Sequence, residues 1–297
     1  MPDRGHRTPY AERWIGGTTI YARPTRLEEA LTLLAAGPCI RLAGGTDLYA
    51  AAGTGGLSGP VLDLSALEGF DRIAASDDGL RIGAGVTWAA LARATRLPPA
   101  LDALRAAAAE VGGVQVQNAG TLAGNLCNAS PAADGVPPLL VLDASVELVS
   151  LRGARRLPLD AFLSGPRRTA LAPDEVMTAI HIPAAALAGQ SRFAKLGARR
   201  HLVISIAMVA VRLAAADGRI AGAAVAVGAC GPVARRLPQI EAALTGAPLA
   251  GAAARVDPAA VAAALAPIDD VRGTADYRTE AAAVLIARAV AALAEDP

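Results

Sequence analysis

The sequence predicts an α+β protein built of two units, and three stretches carry that prediction. A β-α-β start spans residues 18–43 and runs straight into a glycine turn. Late in the chain, three runs rich in β-branched residues (192–196, 203–213 and 219–227) precede three helical runs (237–244, 258–265 and 277–293). Between the halves lies AAALAGQ, residues 184–190, a small-residue connection that marks the unit boundary. Strands followed by helices predict a smaller C-terminal unit in which helices cover one face of a three-stranded sheet. The full length of 297 residues suits one large or two moderate domains at roughly 100–200 residues each.

Taken in order, residues 18–22 predict a strand, and Pro24-Thr25 opens a helix with Thr25 as N-cap and Glu28 completing a capping box. Leu27, Ala30, Leu31 and Leu34 share one face of that helix. Residues 39–43 (CIRLA) predict the strand that enters Gly44-Gly45-Thr46-Asp47-Leu48. Glycines after a strand let backbone N–H groups point at an anion. Asp47 has the wrong charge to bind phosphate, so its carboxylate is expected to cap or orient the turn. Short strands follow at 61–64, 72–75 and 80–84, the last two joined by the turn Asp77-Asp78-Gly79.

Gly83-Ala84-Gly85, before a helix capped by Thr87, mimics a dinucleotide fingerprint. Its third position would be Trp88, where close helix–strand packing needs Gly or Ala, so these glycines read as structural. An alanine-rich helix over 98–110 ends at Gly112-Gly113. A helix at 137–143 and strands at 146–150 and 174–182 complete the first unit.

Composition bounds the function. Basic and acidic residues nearly cancel, 28 against 27, which gives no case for nucleic acid or an anionic membrane as partner. Hydrophobic residues make up 53%, ample for a core. Cys39, Cys127 and Cys230 are too scattered for a zinc site or an unaided iron–sulfur cluster. The first residues lack the apolar run of a signal peptide, and the apolar stretch 202–211 stops at Arg212, too short to span a bilayer. A soluble, cytoplasmic protein with reduced thiols and no transmembrane segment is expected.

Residues 115–138 read QVQNAGTLAGNLCNASPAADGVPP. All three asparagines of the chain, Asn118, Asn125 and Asn128, fall there, with two of its four glutamines. Amides supply donors and acceptors, and the surrounding Gly and Ala let a ligand approach the backbone. The same residues build ordinary turns, so a polar binding loop and a turn-rich connection both stand. Lys195 is the only lysine, against 27 arginines. A compact ammonium is not equivalent to a guanidinium fork at a tight site, although a surface lysine kept by chance is the alternative.

Acid–base equipment is sparse. His6, His181 and His201 are dispersed, with His181 expected to be a satisfied structural residue in its strand. Cys127 has uncharged neighbours and reads as a quiet thiol. Two Gly/Asn-rich segments that can grip a ligand, with little catalytic machinery, fit a protein whose chemistry belongs to a bound cofactor.

The segments Arg41-Leu-Ala-Gly-Gly-Thr-Asp-Leu48, Thr121-Leu-Ala-Gly-Asn125 and Ser130-Pro-Ala-Ala-Asp134, in this order and spacing, closely resemble the FAD-binding medium subunit of the molybdenum hydroxylases. That family includes the flavin subunits of xanthine, carbon monoxide and nicotine-type dehydrogenases. The resemblance covers nearly the whole chain, including the 169–175 segment leading to Pro183 and the 269–278 segment. It implies a PCMH-type FAD-binding domain of two α/β subdomains over residues 12–185 and a C-terminal domain over 190–295.

By the same resemblance, FAD is held by Leu42, Ala43, Gly44, Gly45, Thr46, Asp47, Leu48, Thr121, Ala123, Gly124 and Asn125. Asn128 and Asp134 match further polar positions, Leu171 an apolar position beside the flavin, and Lys195 a flavin-contacting lysine. Ala123 departs from the family's usual glycine and puts the fine geometry of that segment in question. The first loop has no His or Cys, so the FAD is expected to be non-covalent. Asn118, Cys127 and His201 receive no role.

The implied partners are a small iron–sulfur subunit with 2Fe-2S clusters and a large molybdopterin subunit, with a dimer of heterotrimers as one assembly. Electrons would pass from the clusters through FAD to NAD⁺, oxygen or another acceptor. Two other classes remain: a stand-alone FAD-dependent reductase of the same superfamily, similar to the reductase of peptidoglycan precursor synthesis, and a non-catalytic nucleotide-binding scaffold.

Overall fold

Three sheets in sequence order organise the protein, whose computed structural model describes residues 21–295. The first sheet is parallel, with Val61–Asp63 central between Tyr21–Ala22 and Ile40–Leu42. Helix Leu27–Ala36 crosses over it and buries Ala30, Leu31 and Leu34, the face its periodicity predicts. The rest of the expected 18–22 strand, and His6, lie outside the described residues. The helix begins later than the capping box predicts: its N-cap position falls on Arg26, without a side-chain cap. Thr25 instead gives its carbonyl to Glu68 N, and Glu28 pairs with Arg26 at 2.9 Å.

The second sheet has five strands in the order Ile73–Ser76, Gly79–Gly83, Val176–Pro183, Ser145–Ser150 and Gly153–Pro158, antiparallel throughout. The strand Gly153–Pro158 went unforeseen because GARRLP carries no apolar alternation. It is an edge strand, where charged side chains are favoured. A small hairpin, Leu163–Gly165 with Arg168–Thr169, was also missed. The 83–85 glycines are structural as expected: a Cβ on Gly83 would lie 2.3 Å from the carbonyl oxygen of Phe70. Thr87 caps helix Trp88–Arg93 by accepting from Ala90 N. His181 Nε2 lies 3.0 Å from Glu147 Oε2 across the sheet, and burial draws its imidazole below the usual range.

The third sheet corrects the expectation of three strands. It has four: Gln190–Leu196, Ala207–Ala216, Arg219–Gly228 and the short Arg235–Arg236. Its second strand starts at Ala207 rather than residue 203, because the neighbouring strand ends at Leu196, which pairs with Ala207 and leaves residues 203–206 without a strand partner. Strand periodicity then divides two cores. Val209, Val211, Leu213, Val225 and Val227 pack under helices Pro238–Leu244, Pro258–Ala264 and Ala275–Glu295. Met208, Ala210, Ala224 and Ala226 face the other way, into the core of the first two sheets. Arg212 Nε and a terminal nitrogen of Arg236 donate to Val141 and Leu140 carbonyls at 2.7 and 3.0 Å, satisfying the last turn of helix Val136–Val141. The third sheet is thereby tied to the helical segment that carries the candidate site.

Candidate cofactor site

The amide-rich window is mostly helical rather than a loop. It folds as Val114–Ala119, Leu122–Asn128 and Val136–Val141, with a short break at Gly120-Thr121 and a longer turn from Ala129 to Gly135. The break is held as a single antiparallel bridge to Thr87: Trp88 N donates to Gly120 O at 3.1 Å and Leu122 N to Val86 O at 3.0 Å. Extended Thr121 then caps the next helix by accepting from Gly124 N at 2.9 Å. Ala123 sits in the first turn of that helix, where φ is negative, so its methyl fits where the family favours glycine.

The first loop lies against this break. A Cβ on Gly44 would come within 1.9 Å of Ala119 O, so only glycine permits the two backbones to meet there. Beside it, Thr46 Oγ1 lies against Gly120, where a Cβ would meet it at 3.3 Å. Gly45 takes φ +69° with the Tyr49 ring over it. Among the described residues, the N–H groups of Gly44, Gly45, Thr46 and Asp47 donate to no protein acceptor. Unpaired donors on a glycine floor make an anion cradle. Asp47 differs from expectation: it is exposed and its carboxylate caps nothing, because its backbone is already αR and its side chain faces solvent. Leu42 is buried, and Ala43 and Leu48 are half-buried.

The remaining candidates join this pair of segments. Asn125 Oδ1 accepts from Gly135 N at 3.3 Å, which orients its amide NH₂. Asn128 Oδ1 accepts from Arg167, beside the left-handed Ala129 that ends the helix. Lys195 Nζ donates to Asp134 Oδ2 at 2.7 Å, and Ser205 Oγ to Asp134 Oδ1 at 2.7 Å. Glu110 stands near this group; burial pushes its carboxyl up, while Lys195, His201 and Arg200 pull it down. Cys127 is quiet as expected, its thiol pushed up to about 11 by burial. Asn118 serves the surface, accepting from Arg93 at 3.0 Å.

Arg41, which the sequence did not single out, anchors the Leu171 segment. It donates to the carbonyl of Ala172 at 2.9 Å and to that of Pro173, while its buried Nε finds no partner. From the other side Arg155 grips Glu175 through two bonds, 2.6 and 2.8 Å, and Ala172 N donates to the same carboxylate. Arg155 holds the Glu175 carboxyl below the usual carboxylate range. A depressed carboxylate contributes stability that is complete above its unfolded value and is lost as pH falls through its folded value. Glu175→Gln is therefore expected to lower Tm at neutral pH and flatten the decline in Tm on acidification. An acid limb as steep as wild type would show that the clamp does not titrate with folding.

Residues 15–185 match the family described as the FAD binding domain in molybdopterin dehydrogenase, and residues 192–293 match the CO dehydrogenase flavoprotein C-terminal domain. The chain belongs to this family of FAD-binding medium subunits. It is 33% identical over 274 residues to the nicotine 6-hydroxylase medium subunit of Paenarthrobacter nicotinovorans, covering 91% of this chain and 95% of that one. It is 30% identical over 280 residues to the carbon monoxide dehydrogenase medium chain of Afipia carboxidovorans, covering 93% and 96%. A solved structure of CO dehydrogenase from Oligotropha carboxidovorans superposes with a TM-score of 0.85 at 28% identity, over 95% of this chain and 99% of that one.

The protein is thus the FAD-binding subunit of an oxidoreductase, with FAD as its cofactor. The unpaired N–H groups, the glycine floor and the free Arg41 Nε fit an anionic, hydrogen-bonding group of that kind. Among the described residues no helix of this medium subunit is long and apolar enough to cross a membrane.

Proposed function

We propose that this chain is the electron-transfer station of a molybdenum hydroxylase, placed between a small iron–sulfur subunit with 2Fe-2S clusters and a large molybdopterin subunit on one side and a final acceptor, NAD⁺, oxygen or another, on the other. Bound FAD supplies the redox chemistry, and the residues of this chain hold and tune it. The observation that carries the reading is the backbone meeting of Gly44 with Ala119, which builds one cradle from two distant segments. In this reading Leu42, Ala43, Gly44, Gly45, Thr46, Asp47 and Leu48 surround the pyrophosphate with Thr121, Ala123, Gly124 and Asn125. Asn128 and Asp134 add polar support, Leu171 an apolar wall, and Lys195 reaches the site from the C-terminal unit. Residues 12–185 and 190–295 then act together on one cofactor, in a cytoplasmic complex.

Refolding the chain with FAD tests this directly: a retained flavin spectrum is expected, and its absence overturns the reading. Asn125→Ala is expected to weaken FAD retention by roughly 1–3 kcal/mol, because its partners are left unpaired. Wild-type affinity in a titration would remove Asn125 from the site. A stand-alone FAD-dependent reductase is the second reading, favoured by one observation: the half-buried Glu110, its carboxyl raised by burial beside Lys195, resembles a proton donor. Turnover of a small substrate with NAD(P)H by the isolated chain would select it.

A further inference from the structure

Both carboxylate oxygens of Asp134 are committed inside the protein, one to Lys195 and one to Ser205, each at 2.7 Å. The three groups come from three places. Asp134 lies on the turn between helices Leu122–Asn128 and Val136–Val141, and Lys195 on strand Gln190–Leu196. Ser205 lies on the loop that enters strand Ala207–Ala216. All three are withdrawn from solvent: the side chains of Lys195 and Asp134 are 6% and 11% exposed, and Ser205 is 1% exposed. A buried ion pair is a poor way to gain stability, since apolar residues of the same volume do as well. Its presence therefore calls for a use.

The geometry suggests one. An ammonium has three N–H donors, and among the described residues Lys195 spends one of them, on Asp134. The other two remain for a ligand. Which way they point depends on which carboxylate oxygen Lys195 faces, and the Ser205 hydroxyl decides that by occupying the other. Without it, the carboxylate is free to rotate and offer both oxygens to Lys195, drawing the positive charge toward Asp134. The next residue, Gly135, is bound to Asn125, so the orientation of the carboxylate is coupled to the segment that grips the cofactor.

We infer that Ser205 is a positioning residue for the flavin: it fixes the Asp134 carboxylate so that Lys195 presents its free N–H donors and its charge to the bound cofactor. The inference rests on the proposed flavin contact of Lys195. A cation held near the flavin favours the reduced form, so loss of Ser205 lowers the flavin potential. In the FAD-loaded full chain, Ser205→Ala is expected to reduce the preference for reduced over oxidised FAD tenfold, a drop of about 30 mV for a two-electron couple. Ser205→Thr keeps the hydroxyl and is expected to keep the wild-type potential. Should Ser205→Ala shed its flavin, Ser205→Cys, a weaker donor of similar shape, is measured instead and is expected to shift in the same direction. A wild-type potential in Ser205→Ala or Ser205→Cys, beside a shifted one in Lys195→Met, overturns the role of Ser205 alone. Wild-type potential and FAD affinity in Lys195→Met overturn the flavin contact of Lys195 and the role of Ser205 with it.

Discussion

Gly44→Val is expected to yield a chain that no longer retains FAD. The added Cβ would lie 1.9 Å from the carbonyl oxygen of Ala119 and 2.4 Å from its carbon, and both atoms are backbone. No rotamer change relieves such a clash, so the loop must leave the break at Gly120-Thr121. Overpacking of this kind costs about 1–3 kcal/mol in stability. The larger consequence is geometric, because the cradle exists only while the two segments touch. FAD affinity is expected to fall more than tenfold, which corresponds to about 1.4 kcal/mol or more. Gly55→Ala is the control: its Cβ would meet nothing within 4 Å. Flavin titration and thermal melting of both variants check the result. A Gly44→Val chain that binds FAD like wild type would show that the cradle is not where the cofactor sits.

Why Gly44 could be found in the sequence, and Ser205 could not, follows from how each is placed. Gly44 follows a strand within a local motif, so its neighbours in sequence announce it. Lys195 was visible by its singularity among 27 arginines. Ser205 was hidden inside an expected strand over 203–213, because residues 203–206 read like strand and only the end of the partner strand at Leu196, opposite Ala207, leaves them outside it. Arg41 was invisible for the opposite reason: one more arginine on a strand carries no signal until its carbonyl partners, Ala172 and Pro173, arrive from 131 and 132 residues away.

The two long strands of the C-terminal unit were legible because alternate positions serve two separate cores, so positions on both faces are under pressure to be buried. The amide window misled in one respect. Its small polar residues suggested a loop, whereas Thr121 provides the cap that lets seven residues from Leu122 to Asn128 form a helix. The binding role proposed for the window rests on the break before that helix, where Gly44 meets Ala119.

The second large effect is expected at Asp134. Asp134→Ala leaves the Lys195 ammonium, 6% exposed, without its one acceptor among the described residues. Breaking a buried pair from one side costs about 3–5 kcal/mol, because the orphaned charge keeps its desolvation penalty. Replacing both members with apolar residues of similar volume, Asp134→Leu with Lys195→Met, removes the charge together with its partner and is expected to recover most of that stability. The two variants therefore separate folding from function. If the pair serves only the fold, the double variant regains stability and FAD affinity together. If it serves the cofactor, stability returns and FAD affinity does not, since neither the ammonium donors nor the carboxylate that aims them is present. Chemical denaturation without FAD reads the first quantity and flavin titration the second. Wild-type FAD affinity in the double variant would assign Lys195 and Asp134 to the junction between the units rather than to the flavin.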